Sequence, residues 1–333
     1  MTVGGKNVKT FTTLKAVLVV LIATACCQSC FAQGYAWPQT TASDRPNWSV
    51  EFGGKVLDRP GSDLGLPIAS NSVTNETLFS SDDATDLDAA LGGEVKWNFN
   101  TRHGRRIEVR GQLARWEIAE SVADANLTIP FFFPAFDPDS FDYGYDSQYA
   151  SIELVIKQDI RPGITLLGGF RYVSFNETVD FSSSTVFAFP GAPPVTVLTD
   201  TAVEARNHMF GFEIGAEFNR PIAQDIHLTS YIRVAALANP TRVETSTFED
   251  LGGTTTTTLA SKSTGTGLFE FGGRLNYAVV PGAGNFYLGY EGTFIDGIAL
   301  APAQLVTEGI GGGVETSNTP YFGGLVFGFQ YNF

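Results

Sequence analysis

The 333-residue chain carries 36 glycines, 27 phenylalanines and a formal net charge of −14. Such an acidic chain is a poor partner for nucleic acid, whose phosphates bind clustered lysine and arginine. After residue 32 no apolar run approaches the ~20 residues that a membrane-spanning helix needs. A mean hydropathy near zero with many aromatic residues is instead typical of strands that alternate apolar and polar side chains.

Residues 1–32 have the parts of a secretory signal peptide. Three lysines precede an apolar segment at residues 16–25, and Cys30 and Ala32 put small residues at positions −3 and −1 of a cleavage after Ala32. All three cysteines fall within residues 1–32, and removal of the three lysines of that peptide changes the net charge from −14 to −17. Residues 33–46 are then a periplasmic N-terminal segment, followed by one β domain at residues 47–333.

Lipidation is the alternative at the N-terminus. Thr24 and Ala25 precede Cys26 as in a lipoprotein signal, but Ala23 stands where such a signal usually has leucine. We therefore expect cleavage after Ala32 without a lipid anchor.

The first five predicted strands alternate apolar and polar residues with a period of two. They are residues 47–57, 89–99, 106–118, 148–157 and 164–175. Short turns at residues 100–105 and 159–163 join two pairs of them. The polar residues up to Asp88, residues 121–146 and the segment after residue 175 are predicted to be long loops.

Five more strands follow with the same alternation. They are residues 205–218, 226–237, 268–279, 285–294 and 325–333. Residues 219–225 and 281–284 form short turns. A loop containing Thr254–Thr258 precedes the third of these strands, and a loop through Gly311 precedes the last.

The last stretch, LVFGFQYNF, resembles the C-terminal signature of bacterial outer-membrane barrels. Phe329, Tyr331 and Phe333 occupy alternate positions and the chain ends on the last of them. We expect these three residues to act as an assembly signal for the outer-membrane assembly machinery. The strand itself is predicted to pair with residues 47–57.

Ten strands with alternating long and short connections predict an all-β fold, a closed antiparallel transmembrane β-barrel of about 10 strands (8–12). In outer-membrane barrels the long loops are external and the short turns periplasmic, so both termini face the periplasm. Closure is required because an open sheet edge in lipid leaves backbone groups unpaired, at several kcal/mol each. The predicted location is the cell outer membrane, with its lipid bilayer as partner.

Aromatic residues gather at both ends of the predicted strands, as interfacial girdles do. The periplasmic set is Trp48, Trp97, Phe99, Phe218, Tyr277, Phe286, Tyr331 and Phe333, and the outer set is Trp116, Tyr172, Phe210, Phe269, Phe294 and Tyr321. Near Arg115 the alternation slips and leaves Trp116 and Ile118 apolar, which predicts a β-bulge.

The inward-facing positions carry charge of both signs. The predicted pore-lining residues are Glu94, Lys96, Glu108, Arg110, Glu153, Arg171, Glu213, Arg233, Glu270, Arg274 and Glu291, and Glu51, Lys55, Lys157 and Glu217 share their face. These charges either pair into a plug or line a narrow water-filled pore. Gly324 and Gly328 leave room on an uncharged wall, where we expect any passage to run.

The sequence offers no catalytic, cofactor or metal site that we would assign. His103 falls in a periplasmic turn, His227 near the periplasmic end, and His208 on the lipid side without a serine two positions on. The acidic run from Asp137 to Asp146 lacks the central glycine and final glutamate of a known calcium loop. We expect a solvated loop there and no enzyme activity.

Two stretches resemble one family. GGFRYVSFNE (Gly168–Glu177) and RNHMFGFEIGAEFNR (Arg206–Arg220) are similar to the central hairpin of a pore-forming outer-membrane family. This family is known in Legionella as the major-outer-membrane-like proteins and is widespread in planctomycetes. The opening NWSVEFGGKVLDRPG is similar to that family's first strand. The resemblance implies a pore-forming barrel and transfers no catalytic residue.

Two hypotheses follow. The leading one is a narrow porin-like channel for ions or small solutes. The alternative is a structural or adhesive barrel with a lumen plugged by salt bridges and with external loops that contact ligands.

Overall fold

The computed structural model describes residues 48–59, 67–71, 74, 77–80, 87–101, 105–123, 127–128, 140–187, 191, 193–250, 253–280, 283–308 and 314–333. The predicted signal peptide and the predicted periplasmic segment lie outside these residues, as do His103, Asp137 and Asp139. The elements are β1 (Trp48–Arg59), β2 (Pro67–Asn71), β3 (Thr77–Ser80), β4 (Leu87–Asn100), β5 (Arg105–Ala123), β6 (Leu127–Thr128), β7 (Ser140–Arg161), β8 (Ile164–Phe187), β9 (Val195–Ala223), β10 (Ile226–Glu249), β11 (Thr254–Val280), β12 (Gly284–Asp296), α1 (Ala301–Glu308) and β13 (Tyr321–Asn332).

Ten of these strands form one closed antiparallel barrel, as predicted. Their order is β1-β13-β12-β11-β10-β9-β8-β7-β5-β4, and β4 returns to β1. The closing pair β1–β13 runs in register from Ser49 opposite Asn332 to Asp58 opposite Gly323. Among the described residues, no helix is long and apolar enough to cross a membrane.

Five adjacent strands are much longer than predicted. Strands β7 to β11 have 22 to 29 residues, whereas about ten tilted residues cross a membrane. Their outer halves pair as tall hairpins, with Phe187 opposite Val195 and Glu249 opposite Thr254. In the residues that the structure describes, the long loops predicted before residue 147, after residue 175 and around Thr254–Thr258 are therefore largely strand.

The first predicted loop also contains strands. β2 pairs with β3 and with β6 in a separate three-stranded sheet, through Ser70 opposite Thr128 and Asn71 opposite Leu127. These strands lie outside the barrel, so the barrel keeps ten strands.

The membrane belt is visible as exposed apolar residues on the outer wall. They include Phe52, Leu91, Val95, Val109, Leu113, Ile152, Leu154, Ile156, Phe170, Phe212, Ile214, Leu275, Leu288, Leu325 and Phe327. At the periplasmic edge the rings of Trp48 and Phe333 stack with centroids 3.7 Å apart. At the outer edge the Tyr290 and Tyr321 hydroxyls lie 2.9 Å apart.

Trp116 corrects the predicted bulge and the predicted outer girdle. β5 pairs with β7 from Arg105 to Ala123 without a register shift, and Trp116 points inward with 2 % of its surface exposed. The alternation continues through Arg115, but above the membrane the apolar residues change from the outer to the inner face. We had interpreted this exchange of the apolar face as a one-residue shift in the alternation along the strand.

Candidate functional site in the barrel lumen

All eleven predicted pore-lining residues point into the barrel and are buried. With the four residues that share their face they form what we call the ionic layer: Glu51, Lys55, Glu94, Lys96, Glu108, Arg110, Glu153, Lys157, Arg171, Glu213, Glu217, Arg233, Glu270, Arg274 and Glu291. None of the fifteen is more than 9 % exposed. Their alternation with the lipid-facing residues places them at the level of the membrane.

Arg110 of β5 spans the lumen. Its guanidinium lies 3.1 Å from Glu94 and 3.3 Å from Glu291. It also contacts Glu153 at 3.5 Å and Glu270 on β11. Because β11 is five strands from β5 in either direction around the barrel, this side chain bridges opposite walls.

Two further cations, Lys157 and Arg233, continue this network of ion pairs toward the periplasm. Lys157 Nζ donates to Glu108 and Glu217, each at 2.5 Å. Arg233 contacts the same two carboxylates at 3.2 and 3.3 Å. Charged side chains thus fill the cross-section instead of surrounding an opening.

Two buried tyrosines pack within the ionic layer: the alternation had placed Tyr287 on the inward face with Glu291 but not among the site residues, and Tyr231 was missed. The guanidinium carbons of Arg110, Arg233 and Arg274 lie 5.3 to 5.9 Å from the Tyr231 ring centroid, within the range of cation–π attraction. The guanidinium carbon of Arg274 also lies 4.7 Å from the Tyr287 ring centroid. Tyr231 could have been found by phase as well, since it is two residues from Arg233.

Tyr287 also occupies the wall where a passage was expected. A Cβ built on Gly53 would lie 2.1 Å from the Tyr287 hydroxyl oxygen, and one on Gly328 would lie 2.5 Å from it. Those glycines therefore make room for a tyrosine and not for a solute. The expected passage along this uncharged wall is wrong.

Above the ionic layer the lumen is filled by apolar side chains, which we call the mouth core. Its buried members include Leu57, Ala114, Trp116, Phe141, Tyr143, Tyr145, Tyr149, Val173, Phe175, Val179, Phe181, Val203, Ala205, Met209, Leu237, Val243, Leu268, Ile295 and Phe322. Phe322 lies near its centre, with ring centroids 5.0 Å from Tyr149 and 5.5 Å from Trp116.

The connection from β12 to β13 folds into this core, although it was predicted to be an external loop. We call residues 297–308 and 314–320 the mouth loop. Residues 298–301 are fully buried. Asn207 holds their backbone in both directions, since its Nδ2 donates to Ala299 O at 2.8 Å and its Oδ1 accepts from Ala299 N at 3.0 Å.

A buried ion pair anchors helix α1 of the mouth loop. The Glu177 carboxylate accepts from Arg59 Nη1 at 2.7 Å and from the backbone N–H of Ala301, the first helical residue, at 2.8 Å. A carboxylate at this position satisfies an otherwise unpaired N–H and favours the helix dipole. Further along the loop, hydrogen bonds from Ser317 lower the pKa of the Glu315 carboxyl.

The remaining candidate residues that the structure describes are not brought together into a reactive site. The Tyr172 hydroxyl lies 3.0 Å from His208 Nδ1 at the outer edge of the barrel wall. His227 is partly buried on β10. Asp142 and Asp146 belong to strand β7, not to a loop, and accept hydrogen bonds from Ser121 and Arg115.

Comparisons with known proteins add a likeness in architecture. No family model matches the chain, and no curated protein matches its sequence. Among solved structures it is similar to the outer-membrane protease OmpT of Escherichia coli, at 8 % identity over 90 % of this chain and 99 % of that one, with a TM-score of 0.40.

Two further solved structures are similar. For the translocator domain of autotransporter NalP of Neisseria meningitidis the identity is 11 %, the coverage 97 % of each chain and the TM-score 0.36. For the toluene transporter TodX of Pseudomonas putida the identity is 7 %, the coverage is 91 % of this chain and 95 % of that one, and the TM-score is 0.31. Identities and scores this low carry no inference about function. The closed ten-stranded barrel, apolar belt and aromatic girdles are those of an outer-membrane β-barrel.

Proposed function

We propose that this protein is an outer-membrane barrel with a closed lumen, serving a structural or adhesive role and not as an open porin. One observation carries the proposal: the ionic layer and the mouth core fill the lumen at two successive levels. An ion entering from outside would meet buried apolar rings and then a layer of buried charged side chains. Neither level offers the hydrated path that conduction needs.

The outer halves of β7 to β11 support the adhesive part of the proposal. They raise two hairpins well above the membrane belt, and these carry exposed apolar residues on a polar wall. Val195 and Leu198 lie on one hairpin, and Phe248 and Leu259 on the other. Exposed apolar groups of this kind are available for contact with a partner.

Single-channel recording in planar bilayers tests the closed lumen. Purified barrel, shown to be folded by its heat-modifiable migration on gels, is expected to give no stable current steps. The porin-like channel is the competing function. Current steps whose ion preference reverses in Arg171→Glu would establish that channel and overturn the proposal.

The adhesive role is tested on cells that display the barrel. Leu198→Ser with Leu259→Ser is expected to reduce adhesion to surfaces or to other cells while barrel levels stay normal. The matched control is Leu325→Ser on the lipid-facing wall, judged at equal surface levels. Unchanged adhesion in the hairpin variant would leave the barrel with a structural role alone.

A further inference from the structure

Glu213 differs from every other carboxylate of the ionic layer in its surroundings. It points inward from β9 with 1 % of its surface exposed. Its inward neighbours along β9 are Gly211 and Gly215, and across the sheet it faces Gly169 on β8 and Ala235 on β10. None of these four residues offers a side-chain oxygen or nitrogen.

The hydrogen bonds of the layer leave Glu213 out. Each of the other seven carboxylates accepts at least one hydrogen bond from a lysine or arginine. Neither oxygen of Glu213 has a hydrogen-bond partner. The nearest cation is Arg171, whose Nη1 lies 3.5 Å away.

Arg171 is shared among several carboxylates, and only its Nη1, which makes no hydrogen bond, faces Glu213. Its Nη2 donates to Glu270 at 2.7 Å and to the Tyr149 hydroxyl at 2.9 Å, and the same nitrogen lies 3.2 Å from Glu153. The groups whose charge acts on Glu213 are thus two cations, Arg171 and Arg233, and two other carboxylates, Glu153 and Glu270. Arg171 is the cation within ion-pair distance of Glu213, and Glu153 and Glu270 lie closer to it than Glu213 does.

The charge count points the same way. Among the described residues the ionic layer has eight carboxylates and seven cations, so full ionisation would leave one buried negative charge in excess. An ionised carboxylate buried without a partner is strongly unfavourable, and such a group takes up a proton instead. A metal ion is a poorer solution because it needs several oxygen ligands, which the glycine and alanine neighbours do not supply.

We propose that Glu213 is a proton-binding site and that the folded barrel carries this carboxyl group un-ionised. Seven carboxylates then balance seven cations, and the layer is neutral. The proposal concerns the charge state of the layer and does not depend on whether the lumen conducts. A silent or a conducting bilayer would therefore leave it standing.

Infrared spectroscopy of the folded barrel in a detergent without ester or carboxyl groups tests the site directly. An un-ionised carboxyl group has a carbonyl stretch that carboxylates lack. We expect the wild type at neutral pH to show this band and Glu213→Gln to lose it. Absence of the band from the wild type, or its persistence in the variant, would overturn the proposal.

A matched pair of variants gives a second readout. Glutamine is a neutral isostere of a protonated glutamate, so Glu213→Gln is expected to leave the heat-denaturation temperature of the barrel within error of wild type. Glu270→Gln removes a charge that holds Arg110 and Arg171, and should lower that temperature clearly. An equal loss in both variants would mean that Glu213 is an ionised partner like the others.

Discussion

The ionic layer and the mouth core are built by the same strands and filled in opposite ways. On β8, Arg171 points inward where Phe170 and Tyr172 face lipid. A few residues higher, Phe175 points inward where Ser174 and Asn176 face outward. The period of two is constant, but the face that is apolar changes at the outer edge of the membrane.

The comparison shows that the surroundings of a barrel decide what fills it. Within the membrane, lipid accepts the apolar face, so polar groups are left to the interior and must pair there. Above the membrane, water accepts the polar face, and the interior becomes an ordinary apolar core. One closed sheet is therefore a membrane barrel below and resembles a soluble barrel above.

The two fillings also differ energetically. Buried ion pairs contribute little net stability relative to well-packed apolar residues, but removing one partner is strongly destabilising. Apolar burial stabilises in proportion to the area removed from water, at about 25 cal/mol per Å². The ionic layer should therefore be sensitive to single changes of charge, and the mouth core to single losses of volume.

The largest expected effect is in the ionic layer. Arg110→Ala leaves carboxylates on opposite walls without their shared cation, and should lower the free energy of unfolding by roughly 3–5 kcal/mol. Chemical denaturation in lipid vesicles measures it. The control is Arg115→Ala on the same strand, whose pair with Asp146 is exposed to water and should contribute little to stability. Equal costs would mean that the lumen is hydrated.

Phe322→Ala tests the mouth core on the closing strand. Loss of this ring opens a cavity between Trp116 and Tyr149, at an expected cost of about 3–4 kcal/mol. Phe327→Ala, on the lipid face of the same strand, is the control and should cost less because lipid fills the space. If the two variants denature together, the mouth core is not packed as described.

Asn207→Ala should release the mouth loop at a smaller cost. The substitution leaves the Ala299 N–H and C=O without their partners, which costs about 1–3 kcal/mol when both stay buried. Hydrogen exchange should rise at Ala299 and in α1 while exchange in the ionic layer stays as in the wild type. Faster hydrogen exchange in both the mouth loop and the ionic layer would mean that the two regions unfold cooperatively.

Phe333→Ala is expected to have the smallest effect on stability. Its stacking on Trp48 is worth about 0.5–1.5 kcal/mol. Its role as an assembly signal predicts a larger effect on the amount of barrel inserted in cells than on the denaturation of purified barrel. Normal levels in the outer membrane would remove the assembly role.

The period of two was enough to predict the barrel, its closure and the inward charges, because each depends on local alternation and on an even number of strands. Trp116 was misplaced because an apolar residue was assumed to face lipid at every height. The strand segments above the membrane were predicted to be loops for the same reason, because their outward-facing residues, such as Asp142 and Asp146, are polar.

The inward fold of the mouth loop could not be predicted from local pattern. It depends on Asn207 and Glu177, which lie on strands β9 and β8, far from Ala299 and Ala301 in sequence. Tyr231 and Tyr287 are a different case. Their phase was readable, and Tyr287 was placed on the inward face by it, but neither tyrosine was predicted to pack against the charged side chains.

Cysteine labelling in the intact membrane tests the closed lumen most directly. The three native cysteines lie within residues 26–30, inside the predicted signal peptide, and a barrel cleaved after Ala32 as predicted carries the introduced thiol alone. Ser151 on β7 is uncharged, 2 % exposed and on the lumenal face next to Glu153. The account predicts that Ser151→Cys resists a water-soluble thiol reagent added to both sides, while Thr256→Cys on an outer hairpin reacts at once. Comparable labelling of both cysteines in folded barrels would contradict it.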